Sequence, residues 1–165
     1  EEAWKAHAEA TMPRFYFDMS AYKRYFEIGQ PPYTPAISIM FALDLALHKI
    51  ASEGMGTVFE RHANMAHMTR DGVKKLGLSL FPQDESTASN TVTAVTVPEG
   101  VDASKLMNIL RTEHEVVLSG GQKSLGGKIF RIGHLGYTTA EEIQEVLDAL
   151  AIALPQVGFT TGAQA

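Results

Sequence analysis

Apolar residues recur at helical spacing in two long segments of the chain. From about Ala36 to Glu53 they follow each other at intervals of three and four residues, which predicts one long helix. Its apolar face is so broad that we expect this helix to be largely buried. A second long helix is predicted from about Thr57 to Leu76, with Phe59 on its apolar face and Gly77 as its C-cap.

Shorter segments show the composition of strands. The segment Thr91–Val97 reads TVTAVTV, and we expect it to be a central strand because its β-branched residues suit burial on both faces. Further short strands are predicted at Phe15–Phe17, Leu78–Phe81, Glu115–Leu118 and Lys128–Ile132.

Polar residues mark the starts of the remaining helices. Asp18 or Ser20 is placed to cap a short helix, and Asp102 opens another. Residues 139–142, Thr-Ala-Glu-Glu, fit a capping box ahead of an apolar stripe. Residues 29–35 form a rigid loop because they contain three prolines.

The order of these elements predicts the fold class. Two long helices are followed by the order β, β, α, β, β, α. This order indicates an α/β fold with helices packed on one side of a small, mostly antiparallel sheet.

Composition narrows the classes of function. The chain has 165 residues, no cysteine, and a formal net charge of −5 from 14 basic and 19 acidic residues. The absence of cysteine excludes disulfides, a catalytic thiol and thiolate metal ligands within this chain. The mild acidity argues against nucleic-acid binding, and no apolar run approaches the ~20 residues of a membrane span. Because no targeting signal is recognisable, we expect a cytoplasmic protein.

Arg131 is the candidate binding residue that the pattern singles out. It lies in the apolar strand Lys-Ile-Phe-Arg-Ile, and a buried guanidinium there needs a partner. Its planar fork matches a carboxylate, which indicates a clamp for a substrate carboxylate. The alternative is an internal ion pair with a nearby glutamate, which spacing alone favours, and both interpretations stay open at this point.

Other candidate motifs are weaker. The glycine-rich stretch 120–128 lacks the spacing of a phosphate-binding P-loop, so we interpret it as a flexible loop. The histidines lack metal-ligand spacing, so we expect no metal site, and His134 is interpreted as polar surface. Tyr33 and Thr34 precede the first long helix, where their hydroxyls could bind an anion. The alternative is a plain helix cap formed by Thr34 or Ser38.

Three motifs, in their order and spacing, resemble a known family. They are Tyr33–Ile39, Thr91–Thr93 with Pro98–Asp102, and the run from Gly127 to Gly136 that contains Arg131. Together they look like the C-terminal part of a class V, fold-type I aminotransferase that uses pyridoxal phosphate. The most similar group is the alanine–glyoxylate and serine–pyruvate aminotransferases, and the resemblance runs from about Met12 to Leu154.

The resemblance implies roles for three residues. Arg131 matches the family arginine that binds the carboxylate of the amino acid or 2-oxo acid substrates. Thr34 matches a threonine that contacts the cofactor phosphate from the neighbouring subunit, which implies a homodimer. Some members use a tyrosine earlier in that loop; Pro31 takes its place here, so Tyr33 is at best a displaced substitute.

The resemblance also implies that essential groups lie outside this chain. The Schiff-base lysine and the aspartate that pairs with the pyridine nitrogen are expected upstream, in an N-terminal large domain. Lys123 only superficially matches the lysine context. We therefore expect no catalytic residue in this fragment and no activity from it alone. The start EEAWKAHAEA, which lacks an initiator Met, also suggests a fragment.

The expected organisation and function follow from this resemblance. Residues 1–35 would end the large domain and form a linker, residues 36–157 the small C-terminal α/β domain, and residues 158–165 a tail. The complete enzyme would transfer an amino group from alanine or serine to glyoxylate or another 2-oxo acid. The alternative is a non-catalytic α/β binding or interaction domain with Arg131 in an internal ion pair.

Overall fold

A computed structural model of the chain describes residues 1–160. The chain divides into two compact units, Glu1–Ser52 and Glu53–Ala165. The predicted boundary between residues 35 and 36 concerns domains of the complete protein and stays a prediction. Of the predicted tail, residues 161–165 lie outside the described residues.

The first unit contains short helices joined by an aromatic turn. Helix α1 spans Glu2–Glu9 and helix α2 spans Met19–Phe26, where the Asp18 side chain accepts a hydrogen bond from the Ser20 amide, as predicted for a cap. The prediction of a strand at Phe15–Phe17 is wrong. This segment forms a turn, where the hydroxyl of Tyr33 donates a 2.6 Å hydrogen bond to the carbonyl of Phe15.

Helix α3 spans Ile37–Glu53 and confirms the predicted helix, but not its predicted burial. None of its residues is buried, and Phe41, Ile39 and Leu45 are each more than half exposed. The reason is that apolar periodicity fixes which side chains share a helix face, whereas burial requires a second surface to cover that face. No helix in the described part of the chain is long and apolar enough to span a membrane.

The second unit is built from three helices and a small sheet. Its helices are α4, Met55–Lys75; α5, Ala103–His114; and α6, Ala140–Gln156. Its strands are β1, Val92–Thr96; β2, Ser119–Gly120; and β3, Ile129–Gly133. Both strand pairs are antiparallel in the order β1-β3-β2, which confirms the predicted α/β fold class.

The two faces of the sheet differ in their surroundings. Val95 lies opposite Phe130 and Thr93 lies opposite Ile132, so these four side chains share one face. Val95, Phe130 and Ile132 belong to the apolar core that helices α4, α5 and α6 complete. The opposite face, which includes Arg131, is therefore the face without the helices.

Several predicted details of this unit are corrected by the structure. The predicted central strand, β1, lies at the edge of the sheet, and the central strand is β3, which pairs with both β1 and β2. On its other side β1 makes only an isolated bridge between Val95 and Leu80. The predicted strand 115–118 is wrong, since Glu115 takes a left-handed conformation with φ 57° and ends α5. Phe59, predicted to line the apolar face of α4 together with the buried Ala66 and Val73, is itself 65% exposed.

Candidate functional site

Arg131 lies in the middle of the central strand, on the sheet face that the helices leave free. Its neighbours in the sheet are Ala94 on β1 and Ser119 on β2. The side chain is half-buried, whereas Phe130 and Ile132 on either side are fully buried in the core. The strand alternation therefore holds the guanidinium at the boundary between the sheet and solvent.

One hydrogen bond fixes the guanidinium of Arg131. Its Nε donates to the carbonyl of Gly120 at 3.1 Å. No carboxylate of residues 1–160 lies within ion-pair distance of this side chain. The two terminal nitrogens are thus able to form the paired hydrogen bonds by which arginine binds a carboxylate.

The glycine-rich loop provides the carbonyl that orients Arg131. The Gly121 amide donates to the Ile129 carbonyl at 3.0 Å, which ties the loop to β3. A Cβ at Gly121 would lie 2.0 Å from the Leu125 carbonyl oxygen, so the close turn requires glycine. Lys123 is exposed in this loop and has a left-handed φ of 50°.

His134, three residues after Arg131, is part of the interior and not the polar surface that its position suggests. It is 1% exposed. Its Nε2 bonds to the hydroxyl of Thr93 at 2.9 Å and its Nδ1 to the carbonyl of Asn90 at 3.2 Å. Burial, aided by the charge of Arg70, lowers the pKa of His134, which keeps the ring neutral at pH 7.

A second arginine anchors the loop that follows β3. Arg61 bonds to both carboxylate oxygens of Glu53, at 2.6 and 3.0 Å, and donates to the Gly136 carbonyl at 2.9 Å. Its guanidinium also lies 5.8 Å from the ring centre of Tyr137. The hydrogen bonds from Arg61 lower the pKa of Glu53. This arrangement holds the loop after the Arg131 strand against the start of α4.

Tyr33 and Thr34 belong to the first unit, whereas Arg131 belongs to the second. Tyr33 is half-buried among aromatic rings, with Tyr16 at 4.8 Å and Phe15 at 4.9 Å between ring centres. Desolvation raises its pKa. Thr34 is exposed, and its hydroxyl has no partner among residues 1–160, so it does not cap α3.

Sequence reasoning missed the polar groups that surround the Arg131 strand. His134 bonds to Thr93 across 41 residues, and Arg61 contacts Gly136 across 75 residues. Such pairs join distant segments and leave no local spacing signal. The polar Thr93, which shares the core face of β1 with Val95, was the one available hint of a buried partner.

A family model and related proteins both link this chain to the aminotransferases. A family model described as Aminotransferase class-V matches residues 17–146. A soluble hydrogenase small subunit of Synechococcus sp. is 38% identical over 159 residues, covering 96% of this chain and 41% of that protein. A serine–glyoxylate aminotransferase of Arabidopsis thaliana is 35% identical over 147 residues, covering 88% of this chain and 37% of that protein.

Solved structures agree with the sequence comparison. The crystal structure of ureidoglycine–glyoxylate aminotransferase from Bacillus subtilis is similar with a TM-score of 0.87 and 30% identity. That match covers 96% of this chain and 41% of the other. The chain thus spans about two fifths of the length of the curated relatives described above. By the residues matched and the fold they form, it belongs to the class V aminotransferases, of fold type I.

Proposed function

We propose that the complete protein is a pyridoxal-phosphate-dependent aminotransferase that moves an amino group from alanine or serine to glyoxylate or another 2-oxo acid. The class V family supports the type of reaction. The named activities of the Arabidopsis and Bacillus relatives support glyoxylate as acceptor. The observation that carries the proposal is the half-buried Arg131, anchored by Gly120 and without a carboxylate partner among residues 1–160.

Arg131 would bind the α-carboxylate that amino acid and 2-oxo acid substrates share. Its Nε is held by the Gly120 carbonyl, so the guanidinium plane is oriented before substrate arrives. Two parallel hydrogen bonds from the terminal nitrogens would then fix the carboxylate and, through it, the direction of the substrate Cα. Orientation of this kind contributes to rate as well as to affinity.

The part of the cofactor site that this chain could provide is small. Pyridoxal phosphate supplies the electron sink of the reaction when bound. The exposed Thr34 hydroxyl, which has no partner among residues 1–160, is chemically suited to donate to the cofactor phosphate. We propose that it does so across a homodimer interface. Tyr33 is a weaker candidate, since its hydroxyl already donates to Phe15.

The test of Arg131 uses the complete protein. Replacing Arg131 by Ala removes two charge-assisted hydrogen bonds, each worth about 1.5–3 kcal/mol, so we expect kcat/KM to fall by about 100-fold or more. We expect KM for the 2-oxo acid to rise strongly. Arg111→Ala on the exposed side of α5 is the matched control and should leave both constants unchanged. An unchanged KM in R131A contradicts the role proposed for Arg131.

A second test uses the chain as it stands. With the cofactor-binding lysine expected elsewhere in the protein, residues 1–165 should show no transamination. After addition of pyridoxal phosphate and borohydride, mass spectrometry should find no adduct at Lys123. A specific, stoichiometric adduct at Lys123 would overturn the assignment of that lysine to another segment.

A further inference from the structure

The second unit buries an arginine that the proposed function does not use. Arg70 lies on α4 and is only 5% exposed. A guanidinium has five N–H donors. Within residues 1–160, Arg70 makes one hydrogen bond, from Nη1 to the carbonyl of Ser89 at 3.3 Å. The residue is therefore largely buried, and its Nε and Nη2 have no hydrogen-bond partner among residues 1–160, although neither nitrogen is fully closed off from solvent.

The acidic side chains of the adjoining loop are engaged elsewhere. Asp84 accepts a 2.9 Å hydrogen bond from the Ser86 amide, and Glu85 forms an ion pair with Lys74 at 2.5 Å. No carboxylate of residues 1–160 lies within ion-pair distance of Arg70. Because a largely buried charge without a counter-charge is unfavourable, an anion that reaches the open nitrogens would stabilise this guanidinium.

A cavity beside Arg70 offers room for such an anion. It has a volume of about 160 Å³ and is bounded by Arg70, the loop around Thr87–Ser89 and the outer edge of β1. At that edge the Ala94 carbonyl accepts a hydrogen bond from the Phe81 amide. The amide and carbonyl of one strand residue point to the same edge, so the Ala94 N–H also faces this side. The cavity thus combines a buried cation with a backbone donor at its rim.

We propose that this cavity binds a small oxyanion, a carboxylate or a phosphate group, held by the Arg70 guanidinium. An oxyanion fits better than a spherical ion, because its oxygens are spaced to accept two hydrogen bonds from one guanidinium. Ala94 N–H would be a further donor. The site does not include Arg131 or Thr34, so the proposal of an anion site does not depend on the proposed function.

The first experiment uses the unmodified chain. Uniformly ¹⁵N-labelled protein is titrated with sodium phosphate, and separately with sodium acetate, at ionic strength held constant with chloride. We expect saturable shifts at the Arg70 Nε–H and the Ala94 amide, with a millimolar dissociation constant. Saturation by phosphate, by acetate or by both supports the site and distinguishes the two oxyanions. Equal shifts with chloride, or no saturable shift with either anion, overturn it.

Two variants test the role of Arg70 and of the cavity separately. Arg70→Gln removes the charge and should weaken binding at least tenfold. Ala88→Leu fills the cavity from a half-buried lining position while the guanidinium stays, and should abolish the saturable shifts. If R70Q does not give the dispersed spectrum of a folded protein, the result for A88L alone shows whether the anion binds in this cavity. Arg111→Gln, an exposed arginine of the same unit, should bind as the unmodified chain does. Binding that survives R70Q or A88L unchanged refutes the proposal.

Discussion

Helices α3 and α6 have the same length but differ in how much of their surface is buried. Each contains 17 residues and is rich in leucine, isoleucine and alanine. Helix α6 buries six of its residues, including Leu147, Leu150 and Leu154, against α4 and α5. Helix α3 buries none.

The contrast shows what an apolar helix pattern does and does not specify. In both segments the spacing of apolar residues predicts a helix, and both helices are present. Only α6 has a matching surface within its own unit, formed by the apolar faces of α4 and α5. An apolar face the size of that on α3 marks a surface that functions in contact with something else. This accords with a chain that spans about two fifths of the length of its relatives.

The largest expected effect comes from the same substitution in each helix. Leu150→Ala on α6 removes a fully buried side chain and should lower the free energy of unfolding by about 2–5 kcal/mol. Leu45→Ala on α3 removes a side chain that is 59% exposed and should cost less than about 1 kcal/mol. Urea denaturation followed by far-UV circular dichroism measures both changes.

The same two variants also test whether α3 is exposed in solution. If L45A costs as much as L150A at every protein concentration, the surface of α3 is covered in solution by its own chain. If the cost of L45A appears only at high protein concentration, a second copy covers it. The first result would contradict the exposure of α3 in the single chain, whereas the second would identify another copy of the chain as the surface that covers α3.

A smaller effect is expected from two glycines of helix α4. A Cβ at Gly72 would lie 2.2 Å from Cδ1 of the buried Leu147, whereas nothing lies within 4 Å of a Cβ at Gly56. Overpacking typically costs about 1–3 kcal/mol, and alanine regains up to about 1 kcal/mol of helix propensity. We therefore expect Gly72→Ala to be less stable than Gly56→Ala by about 1–3 kcal/mol in thermal unfolding. Equal stabilities would show that α4 and α6 do not pack this closely.

Local signals predicted the elements that depend on local interactions. Asp102 and Thr139 cap α5 and α6 as their sequence contexts indicate, and Thr139 and Glu142 form the predicted capping box. Gly77 follows α4 with the positive φ of a helix end. Each of these features is decided by side chains within a few residues of the helix terminus.

Features that depend on distant segments could not be predicted in this way. The strand order β1-β3-β2 places the Arg131 strand in the centre, because β3 pairs with the distant β1 as well as with the nearby β2. The sequence identified Arg131 as the residue to examine but left its partner open. The absence of a carboxylate near it among residues 1–160, like the burial of Arg70, follows only from the packed structure.

The smallest expected effect concerns a polar group inside the packed unit. Burial lowers the pKa of His134 below its ordinary value near 6.5. As pH falls through that value, the unfolded chain takes up a proton at this ring while the folded protein does not. The contribution of His134 to stability is thus complete above about pH 6.5 and is lost between there and its lower folded pKa.

Substitution of His134 tests the direction of this pH dependence of stability. The melting temperature of the unmodified chain should fall between pH 7 and pH 5, and part of that fall should be absent in His134→Gln. His67→Gln, at an exposed position of α4, controls for removal of a histidine as such and should retain the full pH dependence. If H134Q falls as steeply as the unmodified chain, the ring takes up its proton without cost. The His134 ring and its contact with Thr93 would then be as accessible to water as the exposed side chains of α3.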